Sequence, residues 1–523
     1  MAVDYQKLQN GSDVRGVAVF GVNGEPVTFP PSACRSIAQA FVFWLSEKCG
    51  TSAAELVIGV GRDSRISGEA LSAAAVDGIT AGGAQAVDCG MATTPALFMA
   101  TVFPETQFDG AIMLTASHLP YNRNGMKFFD RNGGLEHSDI SALLTAAARV
   151  APQPEDDGAL PAAERLQDGS VSPSSDHRCT AYALLPRYAA HLRHAICTGL
   201  GVSESDRPLS GIHFVVDAGN GAGGFFATDV LAPLGANISG SVFLEPDGRF
   251  PHHIPNPENA AAMAALRNAV VRSRADFGFI FDTDVDRMAA VCADGTEINR
   301  DAVIALTAAI LAPRYPGSTI VTDSVTSDRL TYFLEQCLQV KHLRYKRGYK
   351  NVINKCKELN AHGTVSPLAM ETSGHGALKD NWYLDDGAFL AVEFVIALTA
   401  ARRSGQTIEQ LLADFPPALP GEEHEYRLKI TADDFLPYGN AVLAAFERRA
   451  RENGYTVAES YEGVRLSFDE ADVRGWMLLR LSLHDPVMPL NVEGLRAGSC
   501  AEILARVKAL LTGFDCLDTG ELP

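Results

Sequence analysis

The stretch from Phe277 to Arg287, FGFIFDTDVDR, joins an apolar run to three aspartates at alternate positions. A short apolar run is typical of a buried strand, and a near-extended continuation lets the carboxylates of Asp282, Asp284 and Asp286 converge. Oxygen ligands at this density suit a hard divalent cation, above all Mg²⁺ where a phosphate shares the coordination. Arg287 stands where an EF-hand loop requires glycine, which excludes that motif. The stretch predicts a metal site at a strand end; the alternative is a solvated acidic turn.

Apolar runs alternate with amphipathic, Ala-rich stretches several more times along the chain. Glu55 to Val60 precedes a predicted helix over Gly68 to Ala81, while Asp109 to Leu114 and Ile212 to Val216 each lead into a loop. This alternation predicts an α/β fold whose sheets are covered on both faces. Chemistry is expected in the loops at the strand ends, where open α/β sheets bind ligands.

Length and charge bound the possible functions. A chain of 523 residues is expected to form three or four domains. The net charge of −19 disfavours a broad surface for nucleic acid, although a local basic pocket for small phosphorylated ligands remains possible. The ten cysteines are scattered without a CxxC pair, which favours a reducing compartment over a zinc ribbon or a disulfide framework.

Targeting signals are weak in this sequence. No continuous apolar segment reaches the eighteen or so residues that span a bilayer, so no membrane partner is expected. The first residues, MAVDYQKLQNGSDVRG, lack an apolar signal core and include the acidic Asp4. We predict a cytoplasmic protein, with a trimmed organellar form as the alternative.

Two breaks divide the chain. Ala151 to Asp176 is rich in Pro, Ser, Gly and acidic residues and is predicted to be a linker, and Phe415 to Gly421 contains three prolines. After the second break, Tyr426 to Ile430 is a predicted strand, Leu436 to Arg451 a predicted helix and Trp476 to Leu483 a predicted strand. The last hundred or so residues therefore indicate an α+β domain.

The predicted strand ending at Leu114 is followed by Ser117, His118 and, within a loop's reach, Lys127. A serine beside a histidine and near a lysine can act as a nucleophile or a phosphoryl carrier, because a phosphoester needs cationic partners. The alternative is that Ser117 and His118 only make hydrogen bonds in a turn. A GxSxG hydrolase motif is absent from the sequence.

A glycine-rich turn from Gly219 to Gly224 satisfies the GxGxxG pattern, with Glu245 about twenty residues further on. This pattern permits an NAD(P)-dependent oxidoreductase. A turn that packs a helix onto a strand produces the same pattern and is the favoured interpretation.

Two further segments combine polar groups of different kinds. Glu371, Ser373 and His375 offer a carboxylate, a hydroxyl and an imidazole, which can bind sugar hydroxyls and move a proton. Arg480 and Ser482 follow a predicted strand and are suitable donors to a phosphate. The alternatives are a polar turn and a capped strand end.

Taken in order, these segments resemble the α-D-phosphohexomutase family, in particular its phosphomannomutase/phosphoglucomutase group. Thr115 to Pro120 resembles the family pattern TASHNP, Asp282 to Arg287 resembles DGDxDR, and Met370 to His375 resembles GExSGH. Leu119, Thr283 and Met370 depart from these patterns. The further matches are Asp13 to Gly16 (D-[IV]-R-G), Gly61 to Arg65 (GRDxR), Asn124 to Lys127 (NGxK) and Arg480 to Pro486 (RxSxxxP).

The resemblance implies an α/β protein with three related mixed α/β domains and a C-terminal α+β domain around a central cleft. The expected domains are a phosphoserine domain over 1–178, a metal-binding domain over 179–300, a sugar-recognition domain over 301–419 and a phosphate-binding domain over 420–523.

The resemblance also implies an isomerase, an intramolecular phosphotransferase that interconverts the 1-phosphate and 6-phosphate of glucose, mannose or both. The phosphoryl group would pass through a phosphoserine at Ser117 and a hexose bisphosphate, with hexose 1,6-bisphosphate as activator, in a monomer or weak dimer. The alternatives are a mutase for phosphoglucosamine or N-acetylglucosamine phosphate and a hexose-phosphate sensor that has lost catalysis.

The family's site residues carry over to matching positions. The implied metal ligands are Asp282, Asp284, Asp286 and phosphorylated Ser117. The implied partners of the moving phosphoryl group and proton are Arg15, His118, Lys127, Arg287 and His375. The implied substrate contacts are Glu371, Ser373, Arg480, Ser482, His484 and, as a replacement cation, Lys350. Departures from the family occur at Val325, Tyr349 and Leu483.

Overall fold

The computed structural model describes residues 3–22, 24–151, 179–482 and 485–523. The predicted linker from residue 152 onwards, together with Leu483 and His484, lies outside them. The chain forms two compact units. Unit 1 comprises 1–299, 373–376 and 384–406, and unit 2 comprises 300–372, 377–383 and 407–523. The division into four domains at the boundaries given above stays a prediction.

Helices and strands alternate along the described chain. The α-helices are α1 Pro31–Cys49, α2 Gly68–Ala81, α3 Thr94–Val102, α4 His137–Val150, α5 Leu184–Leu200, α6 Ala260–Ser273, α7 Asp301–Leu311, α8 Asp328–Tyr332, α9 Tyr349–Ala361, α10 Gly387–Arg403, α11 Phe435–Glu452 and α12 Ser499–Leu510. The strands are β1 Gln9–Asn10, β2 Asp13–Val17, β3 Val57–Arg62, β4 Gln85–Met91, β5 Gly110–Leu114, β6 Arg123–Asp130, β7 Gly133–Gly134, β8 Cys179–Ala181, β9 Phe214–Asp217, β10 Phe277–Phe281, β11 Met288–Cys292, β12 Glu297–Ile298, β13 Thr319–Asp323, β14 Lys341–Tyr345, β15 Leu368–Met370, β16 Gly376–Leu378, β17 Leu384–Asp385, β18 Glu423–Ile430, β19 Thr456–Ala458, β20 Val464–Asp469, β21 Arg474–Leu479, β22 Val487–Gly494 and β23 Leu517–Asp518.

The first sheet of unit 1 has the strand order β1-β2-β6-β5-β3-β4-β8, with β7 paired to β6. Strand β3 runs parallel to β4 and β5, and β6 runs antiparallel to β5 and β2. Every residue of β5 is buried, because the strand lies in the middle of the sheet and α1, α2 and α4 contribute to the apolar core on one face. The end of β5 therefore delivers residues 115–118 at a fixed place.

The second sheet of unit 1 has the order β12-β11-β10-β9. Strand β10 is buried throughout and lies between parallel β9 and antiparallel β11. Helix α6 packs closely on β10, since a Cβ added at Gly278 would lie 2.4 Å from a methyl carbon of Val270. The strand has the bounds predicted from its apolar run, and the three aspartates follow directly.

Unit 2 contains the parallel strands β14, β13 and β15 and an antiparallel sheet with the order β19-β20-β21-β22-β18-β23. Apolar residues of α11 and α12 pack on the antiparallel sheet, among them Val442, Phe446 and Ile503. The C-terminal segment is therefore of the α+β type predicted for it.

Several predicted element bounds need correction. Strand β18 begins at Glu423, three residues before the predicted start, because its first residues are exposed and show no apolar alternation. Strand β21 ends at Leu479, before the predicted end at Leu483. Leu481 lies beyond the strand and is apolar because it packs against Gly439 of α11.

Candidate active site

Ser117 lies in the loop after β5 and is 5% exposed. Its backbone φ of +48° falls in the left-handed region that residues with a side chain seldom adopt. Its amide donates to Oγ1 of Thr115 at 2.8 Å, and its hydroxyl donates to Oδ2 of Asp282 at 2.7 Å. Nδ1 of His118 lies 3.4 Å from the hydroxyl. The loop therefore directs the hydroxyl at the aspartate cluster.

The aspartate cluster consists of Asp282, Asp284 and Asp286, and one carboxylate oxygen of each lies within 4.8 Å of the others. All three side chains are buried. The Oδ1 atoms of Asp284 and Asp286 are buried and accept no hydrogen bond from the described part of the chain. Because buried carboxylate oxygens without donors are costly, this arrangement fits a hard divalent cation.

Helix α3 contacts the aspartate cluster through its first residue, Thr94. The hydroxyl of Thr94 donates to Oδ2 of Asp284 at 2.5 Å, and its amide donates to the Asp284 carbonyl at 2.9 Å. Thr94 is the first residue of α3, so the positive end of the helix dipole is adjacent to the carboxylate. Thr94 was not predicted, because its contact joins residues that lie 190 positions apart in the chain.

Two cations border the cluster. Nζ of Lys127 forms a short ion pair with Asp286 and lies 3.2 Å from Oδ2 of Asp284. The Arg287 amide donates to Oδ1 of Asp282 at 3.3 Å, and its Nε lies 3.8 Å from Oδ2. Burial, followed by the two neighbouring carboxylates, raises the pKa of Asp282. Burial alone would raise the pKa of Asp286 as well, but Lys127 and Arg287 lower it below its usual value.

Burial and nearby cations favour the neutral form of both predicted histidines. Nε2 of His375 accepts from Nε of Arg287 at 3.1 Å, and Nδ1 lies 2.9 Å from the Ser373 hydroxyl. Burial first, then Arg287 and Lys127, lowers the pKa of His375 well below its usual value. Burial and Arg287 lower the pKa of His118 to about 3. A neutral imidazole can accept a proton, although the lowered pKa makes each of these a weaker base than a free histidine.

Arg15 is positioned by β2. Its Nη1 donates to the carbonyl of Thr115 at 2.5 Å, and its Nη2 donates to Asp13 at 2.8 Å. Arg15 pairs with Gly125 of β6, where any Cβ would lie 1.9 Å from the Val14 carbonyl oxygen. The two matched segments that contain Arg15 and Lys127 are thus neighbours beside the Ser117 loop.

Unit 2 holds a second group of predicted residues. Glu371 accepts the Gly348 amide at 2.6 Å, immediately before helix α9, whose first turn contains Lys350. Arg480 follows β21, and its Nη2 donates to Oδ1 of Asn491 at 3.4 Å. Burial lowers the pKa of Arg480. Ser482 lies two residues further on, whereas the predicted contact His484 is outside the described residues.

Glu462 was not predicted and lies between two arginines of unit 2. Its Oε1 accepts the Arg347 amide at 3.1 Å, lies 3.9 Å from Nη1 of Arg480 and accepts a short hydrogen bond from Ser324. An acidic residue in a polar loop has no local signal that would reveal these long-range contacts.

Two departures from the family pattern have structural roles. Val325 is buried with Trp476 and Leu478 in a small apolar cluster. Tyr349 packs against the apolar cluster that contains Val352. Both residues therefore contribute to packing within unit 2.

The glycine-rich turn supports the loop that carries the aspartate cluster. A Cβ at Gly221 would lie 2.7 Å from the Thr283 carbonyl oxygen, and the Ala222 amide donates to that oxygen at 2.8 Å. The side-chain amide of Asn220 donates to the Glu245 carbonyl at 2.8 Å. These contacts agree with the packing interpretation of the pattern and explain its glycines without a dinucleotide.

Comparison with known proteins places the chain among sugar-phosphate mutases. Models of phosphoglucomutase/phosphomannomutase α/β/α domains I, II and III match residues 6–151, 186–295 and 299–419. Phosphomannomutase/phosphoglucomutase of Pseudomonas putida is 30% identical over 470 residues, 89% of each chain. Phosphoglucosamine mutase of Lactobacillus delbrueckii is 29% identical over 68% of this chain and 72% of its own.

A solved structure is also similar over nearly the whole chain. The phosphoglucomutase/phosphomannomutase family protein of Burkholderia thailandensis has a TM-score of 0.76 and 26% identity, covering 98% of this chain and 99% of its own. Among the helices in the described ranges, none combines the length and apolar character needed to cross a membrane. The matches confirm the predicted α/β fold and enzyme class, an intramolecular phosphotransferase of the isomerase type. The chain belongs to the phosphoglucomutase/phosphomannomutase family.

Proposed function

We propose that this enzyme interconverts hexose 1-phosphates and hexose 6-phosphates of glucose and mannose, with Ser117 as the phosphoryl carrier. The observation that carries the proposal is the 2.7 Å hydrogen bond from the Ser117 hydroxyl to Asp282, within a buried cluster of three carboxylates. This arrangement joins a nucleophile to the acidic groups that a phosphoryl-transfer site uses to hold a metal.

Asp282, Asp284 and Asp286 are the proposed ligands of Mg²⁺, together with the phosphate on Ser117. The unsatisfied Oδ1 atoms of Asp284 and Asp286 support this assignment. When bound, Mg²⁺ would neutralise negative charge on the transferring phosphoryl group.

The cations around the loop complete the charge balance. A phosphoserine carries between one and two negative charges near neutral pH. Lys127 and Arg287 border the aspartates, and Arg15 reaches the Thr115 carbonyl two residues before the phosphoserine. We expect these three groups to stabilise the phosphoryl group as it moves, since fixed charges in a buried site act without solvent reorganisation.

The transfer exchanges one phosphoester bond for another. The bond between the phosphorus and Oγ of Ser117 breaks while a bond to the oxygen of the free sugar hydroxyl forms. His375 is the proposed acceptor of the proton that this hydroxyl loses, and Oγ of Ser117 gains one proton as the phosphoryl group leaves it. His118 is a proposed partner of the phosphoryl group, because its Nδ1 lies 3.4 Å from Oγ of Ser117. The resulting hexose bisphosphate then returns its other phosphoryl group to Ser117.

Further residues are proposed to hold the part of the substrate that does not react. Arg480, Ser482 and Lys350 would bind the second phosphate, for which a guanidinium at a strand end is well suited. Glu371 and Ser373 would bind sugar hydroxyls. Since the bisphosphate must present both ends in turn, hexose 1,6-bisphosphate is expected to activate the enzyme. We further propose that the enzyme acts in the cytoplasm as a monomer or weak dimer.

The test is phosphorus NMR of glucose, mannose and glucosamine 1-phosphates mixed in equal amounts with Mg²⁺ and catalytic glucose 1,6-bisphosphate. Competition in one tube compares kcat/KM among the sugars directly. We expect the 6-phosphates of glucose and mannose to form fastest. Preferred conversion of glucosamine 1-phosphate would support the alternative substrate, and binding of all three sugars without conversion would support the sensor.

A further inference from the structure

Arg65 is a buried cation for which the proposed reaction provides no role. It lies between β3 and α2, within the matched segment Gly61 to Arg65, and is 1% exposed. A guanidinium removed from water must be compensated by hydrogen bonds or by an opposite charge. The groups that compensate it therefore indicate what the residue does.

Four backbone carbonyls accept hydrogen bonds from this guanidinium. Its Nη2 donates to Ser117 at 2.5 Å and to Leu119 at 2.7 Å. Its Nη1 donates to Pro120 at 2.8 Å and to Arg123 at 2.9 Å. All four carbonyls belong to the loop over residues 117–123, which begins at the proposed phosphoryl carrier.

The guanidinium is itself held by Asp63 and by the segment that contains Gly248 and Phe250. Its Nε lies 3.3 Å from Oδ2 of Asp63, and Oδ1 of Asp63 accepts the Arg65 amide at 2.9 Å. The Phe250 ring centre lies 5.2 Å from the guanidinium carbon. Gly248 packs so closely that an added Cβ would lie 2.4 Å from the Ile66 amide nitrogen. Arg65 is thus a fixed support for the loop.

The loop needs such a support at Ser117. This residue has the unfavourable φ of +48°, and its own carbonyl accepts the shortest of the four hydrogen bonds. Fixing the plane of that peptide also fixes the direction of the side chain, whose hydroxyl meets Asp282 at 2.7 Å. Arg65 therefore acts on the reacting atom through the backbone.

We propose that Arg65 is a positioning residue for phosphoryl transfer, whose four hydrogen bonds to the 117–123 loop aim the Ser117 hydroxyl. The inference rests on the proposed function, in which Ser117 carries the phosphoryl group. A planar guanidinium spans four acceptors, whereas a lysine ammonium has three donors on one atom and cannot reproduce the arrangement.

The test compares wild type with Arg65→Lys, which retains the charge. Misplacing a reacting group by about 1 Å costs about 100-fold in rate. We expect kcat to fall by about 100-fold, with a KM for glucose 1-phosphate within about threefold of wild type because the substrate contacts in unit 2 are unaltered. Intact-protein mass spectrometry should show the same fall in the rate at which glucose 1,6-bisphosphate phosphorylates Ser117.

Arg449→Lys is the matched control. Nη1 of Arg449 also donates to two backbone carbonyls, those of Leu510 at 2.7 Å and Thr512 at 2.8 Å, but at the end of α12. This variant should lose thermal stability while kcat stays at the wild-type value.

Each outcome separates the inference from the proposed function. A wild-type enzyme that takes no phosphoryl group at Ser117 refutes both. The role of Arg65 alone is refuted if the wild type is phosphorylated and a folded Arg65→Lys variant has a kcat within about threefold of the wild-type value. If Arg65→Lys does not fold, Phe250→Leu carries the test, with at least a threefold lower kcat expected and an unchanged kcat contradicting the inference.

Discussion

The Ser117 hydroxyl donates to Oδ2 of Asp282 across 2.7 Å, although the two residues are 165 positions apart in the chain. Ser117 lies in the loop after β5 of the first sheet, and Asp282 directly follows β10 of the second sheet of unit 1. The contact joins the proposed phosphoryl carrier to the proposed metal site and is the basis for the first predictions.

Replacing Ser117 with alanine should abolish mutase activity, with a loss of at least about 1,000-fold, because no other group takes the phosphoryl. Incubation with glucose 1,6-bisphosphate followed by mass spectrometry should show no phosphorylation. Ser72→Ala removes a buried hydroxyl in α2 and is the control, which should retain wild-type activity. An active Ser117→Ala enzyme would refute the proposed function.

Removing Mg²⁺ with EDTA should stop the reaction, and adding Mg²⁺ should restore it. Asp284→Asn removes one negative ligand, so the Mg²⁺ concentration that gives half-maximal rate should rise by about tenfold or more. The measurement is a titration of initial rate against Mg²⁺. Asp294→Asn alters an aspartate in an exposed turn and should leave the titration unchanged; an equal shift in both variants would contradict the assignment.

Lys127→Met should lower stability as well as activity. The lysine pairs with Asp286 and Asp284 in a buried site, and removing one partner of a buried pair costs about 3–5 kcal/mol. Urea unfolding in EDTA should show this loss, and Mg²⁺ should recover part of it by neutralising the carboxylates.

The control for this variant is Lys7→Met. Lys7 pairs with Asp4 at 3.2 Å, and the two side chains are 84% and 55% exposed. An exposed pair contributes at most about 1 kcal/mol, so the unfolding free energy should change little. Similar losses of unfolding free energy in the two variants would show that Lys127 does not stabilise the buried cluster more than an exposed ion pair would.

Tyr188→Phe should lower the free energy of unfolding of unit 1 by about 1–3 kcal/mol, because the buried carboxylate of Asp386 loses one hydrogen-bond donor. The Tyr188 hydroxyl donates to Asp386 at 2.6 Å, and Asp386 also caps α10 by accepting the Phe389 amide. Thermal unfolding checks the prediction. Tyr332→Phe removes an exposed hydroxyl and should leave the melting temperature unchanged; an equally stable Tyr188→Phe would refute the argument.

Acid should weaken the metal-free, unphosphorylated enzyme through His118. Burial lowers the pKa of this residue from 6.5 to about 3, so between these values the unfolded chain binds a proton that the folded chain does not. The contribution of His118 to the free energy of unfolding is therefore largest above pH 6.5 and falls as the pH falls. At pH 5 it is lower by about 2 kcal/mol than above pH 6.5.

His118→Asn should reduce the stability difference between pH 7 and pH 5 by about that amount, as measured by urea unfolding. His137→Asn alters an exposed histidine at the start of α4 and should keep the wild-type difference. A His118→Asn protein with an unchanged pH difference would show that His118 is not held neutral by burial.

Local patterns were sufficient for much of the fold. Strand β10 has the bounds that its apolar run predicted, because a strand buried on both faces is apolar at every position. The α2 helix is likewise found where it was expected. The predicted end of β21 was wrong because Leu481 is apolar for a different reason, its packing on α11.

For the site, the sequence alone identified the groups that we propose to react, namely the three aspartates and Ser117 with His118, and the ordered motifs that indicated the family. These are local features, since alternate carboxylates and a strand followed by a polar loop occupy neighbouring positions in the chain. Only the tertiary structure decided how they are supported. The contacts of Thr94 with Asp284 and of Arg65 with the 117–123 loop join separate segments, and such pairings depend on how strands and sheets assemble. A single sequence carries no local pattern for them.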